Sequence, residues 1–200
     1  MEIKKVLVIG AGQMGSGIAQ VMAQGGLEVM IRDIKEEFVE KGIAGIAKRL
    51  ARSVEKERIT AEEQEAILTR ISGTVELGST ACDVDLVVEA AIENEKIKKD
   101  IFQQLDELCP EHTILASNTS SLPLTMIASF TKRPQQVIGM HFFNPAPVMK
   151  LVEVIKGLAT SDATTASIKA LAEKLGKTPV EVNDAPGFVG NRIVIPTINE

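Results

Sequence analysis

The sequence predicts an α/β fold in which a doubly wound, mostly parallel sheet carries helices on both faces. Three observations predict it. Short runs such as Val6-Leu7-Val8-Ile9 are apolar at consecutive positions, as strands covered on both faces are. Amphipathic stretches of helical period separate these runs, which is the alternation of βαβ units. A glycine cluster, Gly10-Ala11-Gly12-Gln13-Met14-Gly15, follows the first run directly and opens the first helical stretch.

After the first strand a helix is expected from about Gln13 to Gln24, with Gly25-Gly26 as its stop. Leu27 to Ile31 reads as the second strand. A charged helical region runs from about Lys35 to Arg70 and breaks near Ile59-Thr60, where Thr60 and Glu63 have the spacing of a capping box. Further strands are expected at Leu86–Val88, Thr113–Ala116 and Val137–Met140, with a helix at about Asn94–Leu108 between the first two. Leu151–Ile155 and Pro179–Val182 follow as strands around a helix at about Asp162–Leu175, after a loop forced by Asn144-Pro145-Ala146-Pro147. Asn183-Asp184-Ala185-Pro186-Gly187 marks a domain boundary, dividing residues 1–184 from 185–200. A new helical pattern starts near Phe188 and is still running at Glu200, so the chain is expected to stop at the start of a second, helical domain.

Composition narrows the function classes. With 44% hydrophobic residues the chain can bury a sizeable core. A net charge of −5 without a Lys/Arg block favours neither nucleic acid nor an anionic membrane as partner. No apolar stretch approaches the roughly 18 residues of a membrane span, and the N-terminus lacks the apolar core of a secretory signal. The two cysteines, Cys82 and Cys109, form no CxxC pattern, which argues against a disulfide framework or zinc site and for a reducing cytoplasm. No metal site is expected.

The glycine cluster fits G-x-G-x-x-G. Alone it is weak, but between a buried strand and a helix the three glycines serve the tight turn, close approach to a pyrophosphate, and helix–strand packing. The helix N-terminus, from Gln13 and Met14 onward, offers free N–H groups and partial positive charge to phosphates. Asp33 follows the second strand 18 residues after Gly15, where a carboxylate accepts hydrogen bonds from adenosine ribose hydroxyls. A carboxylate there repels a 2′-phosphate, so NAD(H) is favoured over NADP(H). Neighbouring Arg32 tempers that, and a flavin or another adenosine ligand fits the same motif.

His141, one of two histidines, is expected just past a strand, at the sheet edge where ligands of open α/β folds bind. If the Pro-rich turn returns the chain antiparallel, Glu153 reaches His141. A carboxylate on one imidazole nitrogen fixes the tautomer and raises basicity, which suits removal of a hydroxyl proton. Taken singly, such a histidine is more often a satisfied structural residue. His112 reads as a plain surface histidine. The hydroxyl-rich loop Ser117-Asn118-Thr119-Ser120-Ser121 follows another strand and belongs at the same edge, either as substrate ligands or as an ordinary turn.

Five segments occur together and in order: GAGQMG at 10–15, VVEAAIEN at 87–94, ASNTSSL at 116–122, HFFNP at 141–145 and DAPGFVGNR at 184–192. In these the chain resembles the 3-hydroxyacyl-CoA dehydrogenases, most of all the short bacterial members acting on 3-hydroxybutyryl-CoA, over essentially its whole length. The resemblance implies a Rossmann-type domain and reversible hydride transfer between NAD and C3 of an (S)-3-hydroxyacyl-CoA, the pair (S)-3-hydroxybutyryl-CoA and acetoacetyl-CoA. It implies His141 as general base, Glu153 as its orienting partner, Ser120 at the substrate oxygen and the cofactor, and Asn191 completing the substrate site. Glu93, Lys98 and Asn144 then meet the nicotinamide end, and Asp33 the adenosine ribose. Lys56 matches a CoA-contacting lysine. Arg52 and Arg49 precede it on the same expected helix, although a solvated helix face explains all three as well. Gly190 stands where relatives usually carry a bulkier residue, which loosens the expected helix start before Asn191. A cytoplasmic homodimer formed through the C-terminal domain is also implied.

Two other readings fit the sequence. The chain binds NAD with little turnover if a missing domain must close the cleft, in which case Phe188, Ile193, Ile195 and Ile198 form an exposed apolar face. Alternatively it is another dehydrogenase of small β-hydroxy acids, although a lysine base would then be expected in place of HFFNP and SNTSSL.

Overall fold

In the computed structural model, which describes residues 2–185, 187, 188 and 190, an eight-stranded sheet organises the chain. The elements are β1 (Lys5–Ile9), α1 (Gln13–Gln24), β2 (Glu28–Arg32), α2 (Glu36–Glu55), α3 (Ala61–Leu68), β3 (Ile71–Thr74), α4 (Gly78–Ala81) and β4 (Leu86–Glu89). There follow α5 (Glu95–Leu108), β5 (Ile114–Ser117), α6 (Leu124–Ala128), β6 (Val137–Phe142), β7 (Leu151–Lys156), α7 (Asp162–Lys174) and β8 (Thr178–Asn183). The sheet order is β3-β2-β1-β4-β5-β6-β7-β8. All neighbours pair in parallel except β6 and β7, which are antiparallel.

Consecutive apolar residues are needed because each central strand feeds two cores. Val6 and Val8 of β1 face one cluster with Ile18 and Met22 of α1 and Ile46 of α2. Leu7 and Ile9 face the opposite cluster with Phe102 and Leu105 of α5 and Ile127 of α6. Each fully buried aliphatic side chain contributes roughly 1.5–3 kcal/mol relative to exposure. Helix starts follow local chemistry: Asn94 Oδ1 accepts the Ile97 N–H at 3.1 Å ahead of α5, and Thr60 with Glu63 closes the expected capping box on α3.

The sequence reading misplaces some details. It has no counterpart for the edge strand β3, because Ile71-Ser72-Gly73-Thr74 contains one strongly apolar residue, and its pairing with β2 supplies what its composition does not. The short helices α4 and α6 carry too few turns for a periodic signal. His141 lies inside β6 rather than after it, since the strand continues to Phe142. Phe188 is 3% exposed and packs in the core cluster under α5 and α6, so it belongs to no exposed apolar face. Ile193, Ile195 and Ile198, with the other residues from 191 onward and so Asn191, lie outside the described residues.

At the opposite, N-terminal end of the strands, Asp85 Oδ2 accepts the N–H groups of Lys4 and Lys5 at 2.8 and 2.9 Å and so ties the start of β1 to β4. Burial pushes the Asp85 carboxyl up. The two amide hydrogen bonds, with His112 3.4 Å away, outweigh it and hold the group below its ordinary value. A depressed folded value means the clamp acts fully above the unfolded value of about 4 and is lost as pH falls through the folded one. Asp85→Asn is therefore expected to cost about 1–2 kcal/mol at pH 7, with the difference from wild type shrinking toward pH 3. Urea unfolding at the two pH values checks it, and an unchanged difference contradicts it.

Candidate functional site

The C-terminal ends of β1, β2, β4, β5 and β6 share one edge of the sheet, and they gather the chemistry-bearing residues there. Where β1 meets α1, two of the three motif glycines are demanded by the protein itself. Gly10 has φ +101°, and a Cβ on it would stand 2.5 Å from the carbonyl oxygen of Ala90. A Cβ on Gly15 would overlap the carbonyl oxygen of Gly10. Gly12 differs, because a Cβ there would meet no protein atom within 4 Å. Protein packing explains Gly10 and Gly15, whereas Gly12 leaves open space at the N-terminus of α1, as a bound pyrophosphate requires.

That opening belongs to a cleft of about 700 Å³ whose walls include Gly10, Gly12, Gln13, Asp33, Arg49 and Ile92. Asp33 is pinned at its rim: Oδ2 accepts the Ala11 N–H at 2.6 Å and Oδ1 the Ile34 N–H at 2.7 Å. Arg32, also on the wall, is turned so that Nε donates to the Val75 carbonyl at 3.2 Å. Met14 faces the other way and packs on the core. Arg49 does not share a solvated face with Arg52 and Lys56. Its Nε donates to Gln20 Oε1 at 2.7 Å and its Nη2 to the Ser16 carbonyl at 3.2 Å, which folds it against α1. Desolvation there lowers its pKa. Arg52 and Lys56 are exposed at the end of α2, Lys56 being the cap residue after its last turn.

The second centre is a pair. The antiparallel register sets His141 opposite Glu153, and Nδ1 of the imidazole lies 2.8 Å from Glu153 Oε2. Both side chains are buried, at 9% and 2% exposure. A carboxylate only accepts, so the proton of this bond sits on Nδ1, and in the neutral imidazole Nε2 keeps its lone pair. The other carboxylate oxygen, Oε1, accepts the N–H of Gly190 at 2.7 Å. Phe143 and Phe188 wall the imidazole, with ring centroids 4.8 and 6.1 Å away.

Hydrogen bonds join the two centres. Gln13 Nε2 donates to Asn144 Oδ1 at 3.1 Å, linking the glycine turn to the loop after β6. Asn118 Oδ1 accepts the Phe142 N–H at 2.8 Å, which fastens the hydroxyl loop beside His141. The loop is held further by Glu93, which accepts the hydroxyls of Thr119 and of Ser121, the latter at 2.9 Å. Burial pushes the Glu93 carboxyl up, but these hydrogen bonds and the Lys98 charge outweigh it and hold it below its ordinary value. Lys98 is itself 1% exposed, with Nζ 2.7 and 2.8 Å from the oxygens of Glu89 and 3.3 Å from Glu93, so it meets the site through Glu93.

The sequence reading did not single out Glu89. An acid closing the apolar run Leu86-Val87-Val88 was the available signal. It also passed over Lys177, whose ammonium spans the carbonyls of Ala146 and Met149 at 2.6 and 2.8 Å and braces the loop after β6. His112 is exposed, as expected of a surface histidine, with Nε2 3.4 Å from Asp85 Oδ1. Among the described residues no cluster of His, Cys, Asp and Glu could hold a metal, and no helix is long and apolar enough to cross a membrane.

Comparison with known proteins gives consistent relatives. The family model for the NAD-binding domain of 3-hydroxyacyl-CoA dehydrogenase matches residues 5–185. A Bacillus subtilis protein named as a probable 3-hydroxybutyryl-CoA dehydrogenase is 56% identical over 200 residues, all of this chain and 69% of the relative. The 3-hydroxybutyryl-CoA dehydrogenase of Clostridioides difficile is 49% identical over 98% of this chain and 69% of its own length. The crystal structure of (S)-3-hydroxybutyryl-CoA dehydrogenase from Ralstonia eutropha superposes with a TM-score of 0.96 at 47% identity, covering 99% of this chain and 70% of that one.

Proposed function

Because the chain belongs to the 3-hydroxyacyl-CoA dehydrogenase family, we propose that it interconverts (S)-3-hydroxybutyryl-CoA and acetoacetyl-CoA with NAD(H), using His141 as the acid–base group. The observation that carries the reading is the buried His141–Glu153 pair at the strand edge that also bears the dinucleotide cleft. In the oxidative direction Nε2 accepts the substrate hydroxyl proton, and Glu153 stabilises the resulting imidazolium through Nδ1. In reverse, protonated His141 donates to the keto oxygen. Ser120, on the loop fastened beside His141, is read as a second hydrogen-bonding group for that oxygen, with Asn191 completing the site.

When bound, NAD supplies the hydride acceptor, and NADH the donor. The open approach at Gly12 and the N-terminus of α1 fit its pyrophosphate, with Gly10, Gln13, Met14 and Gly15 shaping the turn. Asp33 is read as the adenosine-ribose ligand, and Glu93, Asn144 and Ser120 as the nicotinamide-side residues, with Lys98 acting behind Glu93. Exposed Lys56 and Arg52 are read as CoA-facing cations. Arg49, on the cleft wall, is read as a cation near the start of α1. Residues 1–184 are read as the dinucleotide domain and 185–200 as the beginning of a helical one through which a cytoplasmic homodimer forms. Free Cys82 and Cys109, the latter's thiol pushed up to about 12 by burial, are compatible with a reducing compartment.

Asp33 provides the test of cofactor choice. Wild type is expected to oxidise NADH with acetoacetyl-CoA far faster than NADPH. Asp33→Ala is expected to weaken NADH binding about tenfold, the loss of one or two ribose hydrogen bonds, and to narrow the gap to NADPH because Arg32 remains. Preference of wild type for NADPH, or for free acetoacetate over its CoA ester, contradicts the reading.

A further inference from the structure

Glu89, at the end of β4 in the middle of the sheet, is 0% exposed, and the reaction proposed above makes no use of it. Three elements converge on its carboxylate. Oε1 accepts the Ala91 N–H at 2.8 Å, Oε2 accepts the Ser117 hydroxyl at 2.6 Å, and the Lys98 ammonium from α5 reaches both oxygens. Lys98 extends the chain to Glu93, and Glu93 accepts the hydroxyls on either side of Ser120, those of Thr119 and Ser121. Thr119 Oγ1 in turn accepts the N–H groups of Ser121 and Leu122 at 3.3 and 3.0 Å.

A buried carboxylate–ammonium pair is a poor device for stability, since apolar groups of similar volume often do as well or better. It is a good device for geometry. At its buried end, formed by Glu89, Lys98 and Ser117, a displaced member leaves a charge or donor unpaired, so few arrangements have low energy. We infer that Glu89 is a positioning residue: through Lys98 and Glu93 it fixes the hydroxyl loop and hence the placement of Ser120. The inference rests on the reading of Ser120 as a substrate-facing hydroxyl.

Glu89→Gln keeps the shape and removes the charge. Amide hydrogen exchange at Thr119, Ser121 and Leu122 is expected to quicken about tenfold, while amides of β2 stay as in wild type. With acetoacetyl-CoA and NADH, kcat is expected to fall about tenfold, mid-range for members of one hydrogen-bond network. Combined with Ser120→Ala, the same substitution should cost less than about twofold further, whereas with Asp33→Ala the two effects should multiply. A purely structural role would multiply in both backgrounds, and that result overturns the inference. Unchanged exchange in the loop overturns it whatever the activity. A wild-type chain that binds NADH but does not reduce acetoacetyl-CoA overturns the functional reading instead, and the exchange rates still decide whether Glu89 holds the loop. Glu89→Asp, which keeps the charge and shortens the reach, carries the same tests if the Gln variant does not fold.

Discussion

Replacing His141 with alanine is expected to lower kcat for acetoacetyl-CoA reduction about 10³-fold, within the range for loss of a positioned general acid–base group. NADH binding is expected to persist, because Gly10 and Gly12 lie in the turn between β1 and α1 and Asp33 just after β2, outside the pair formed across β6 and β7. Glu153→Gln is expected to fall between the two, at roughly 10–10² in kcat. Its amide keeps the contact with Nδ1 while losing the charge that stabilises the imidazolium. Two further features make His141 sensitive to small changes. Its ring is confined by Phe143 and Phe188, and Glu153 is held on its far oxygen by Gly190. Steady-state kinetics beside a titration of NADH fluorescence separates the two quantities, and the titration is free of tryptophan emission because the chain has no tryptophan.

The second large effect is on stability. Lys98→Met leaves Glu89, fully buried, without its counter-charge, and is expected to cost about 3–5 kcal/mol. Removing the carboxylate as well, in Lys98→Met with Glu89→Gln, is expected to recover most of that loss because no buried charge is left unpaired. Denaturant unfolding of the single and double variants measures it. A cost below about 1 kcal/mol for the single variant would place the pair among weak surface ion pairs, against its burial here.

Most of the fold was legible because its signals are local. Val6–Ile9 and Leu86–Val88 announce strands covered on both faces, Thr60 with Glu63 announces a helix start, and the glycine cluster announces the first turn. The weak signals were those completed by partners distant in sequence. Ile71–Thr74 becomes a strand through the edge of β2, and Arg49 turns inward because Ser16 and Gln20 stand opposite it. The site divides the same way. His141 and Glu153 were readable as a pair once a turn was assumed between them, and the antiparallel register supplies that turn. The Glu89–Lys98–Glu93 chain joins the end of β4 to α5 and then to the loop after β5, and no spacing in the sequence encodes that convergence.

The most direct test of the central claim follows NADH absorbance with acetoacetyl-CoA for wild type and His141→Ala side by side. Oxidation that depends on acetoacetyl-CoA in wild type and falls about 10³-fold in the variant, with NADH still bound, is the predicted result. Equal rates in the two proteins, or no acetoacetyl-CoA-dependent oxidation by wild type, would contradict it.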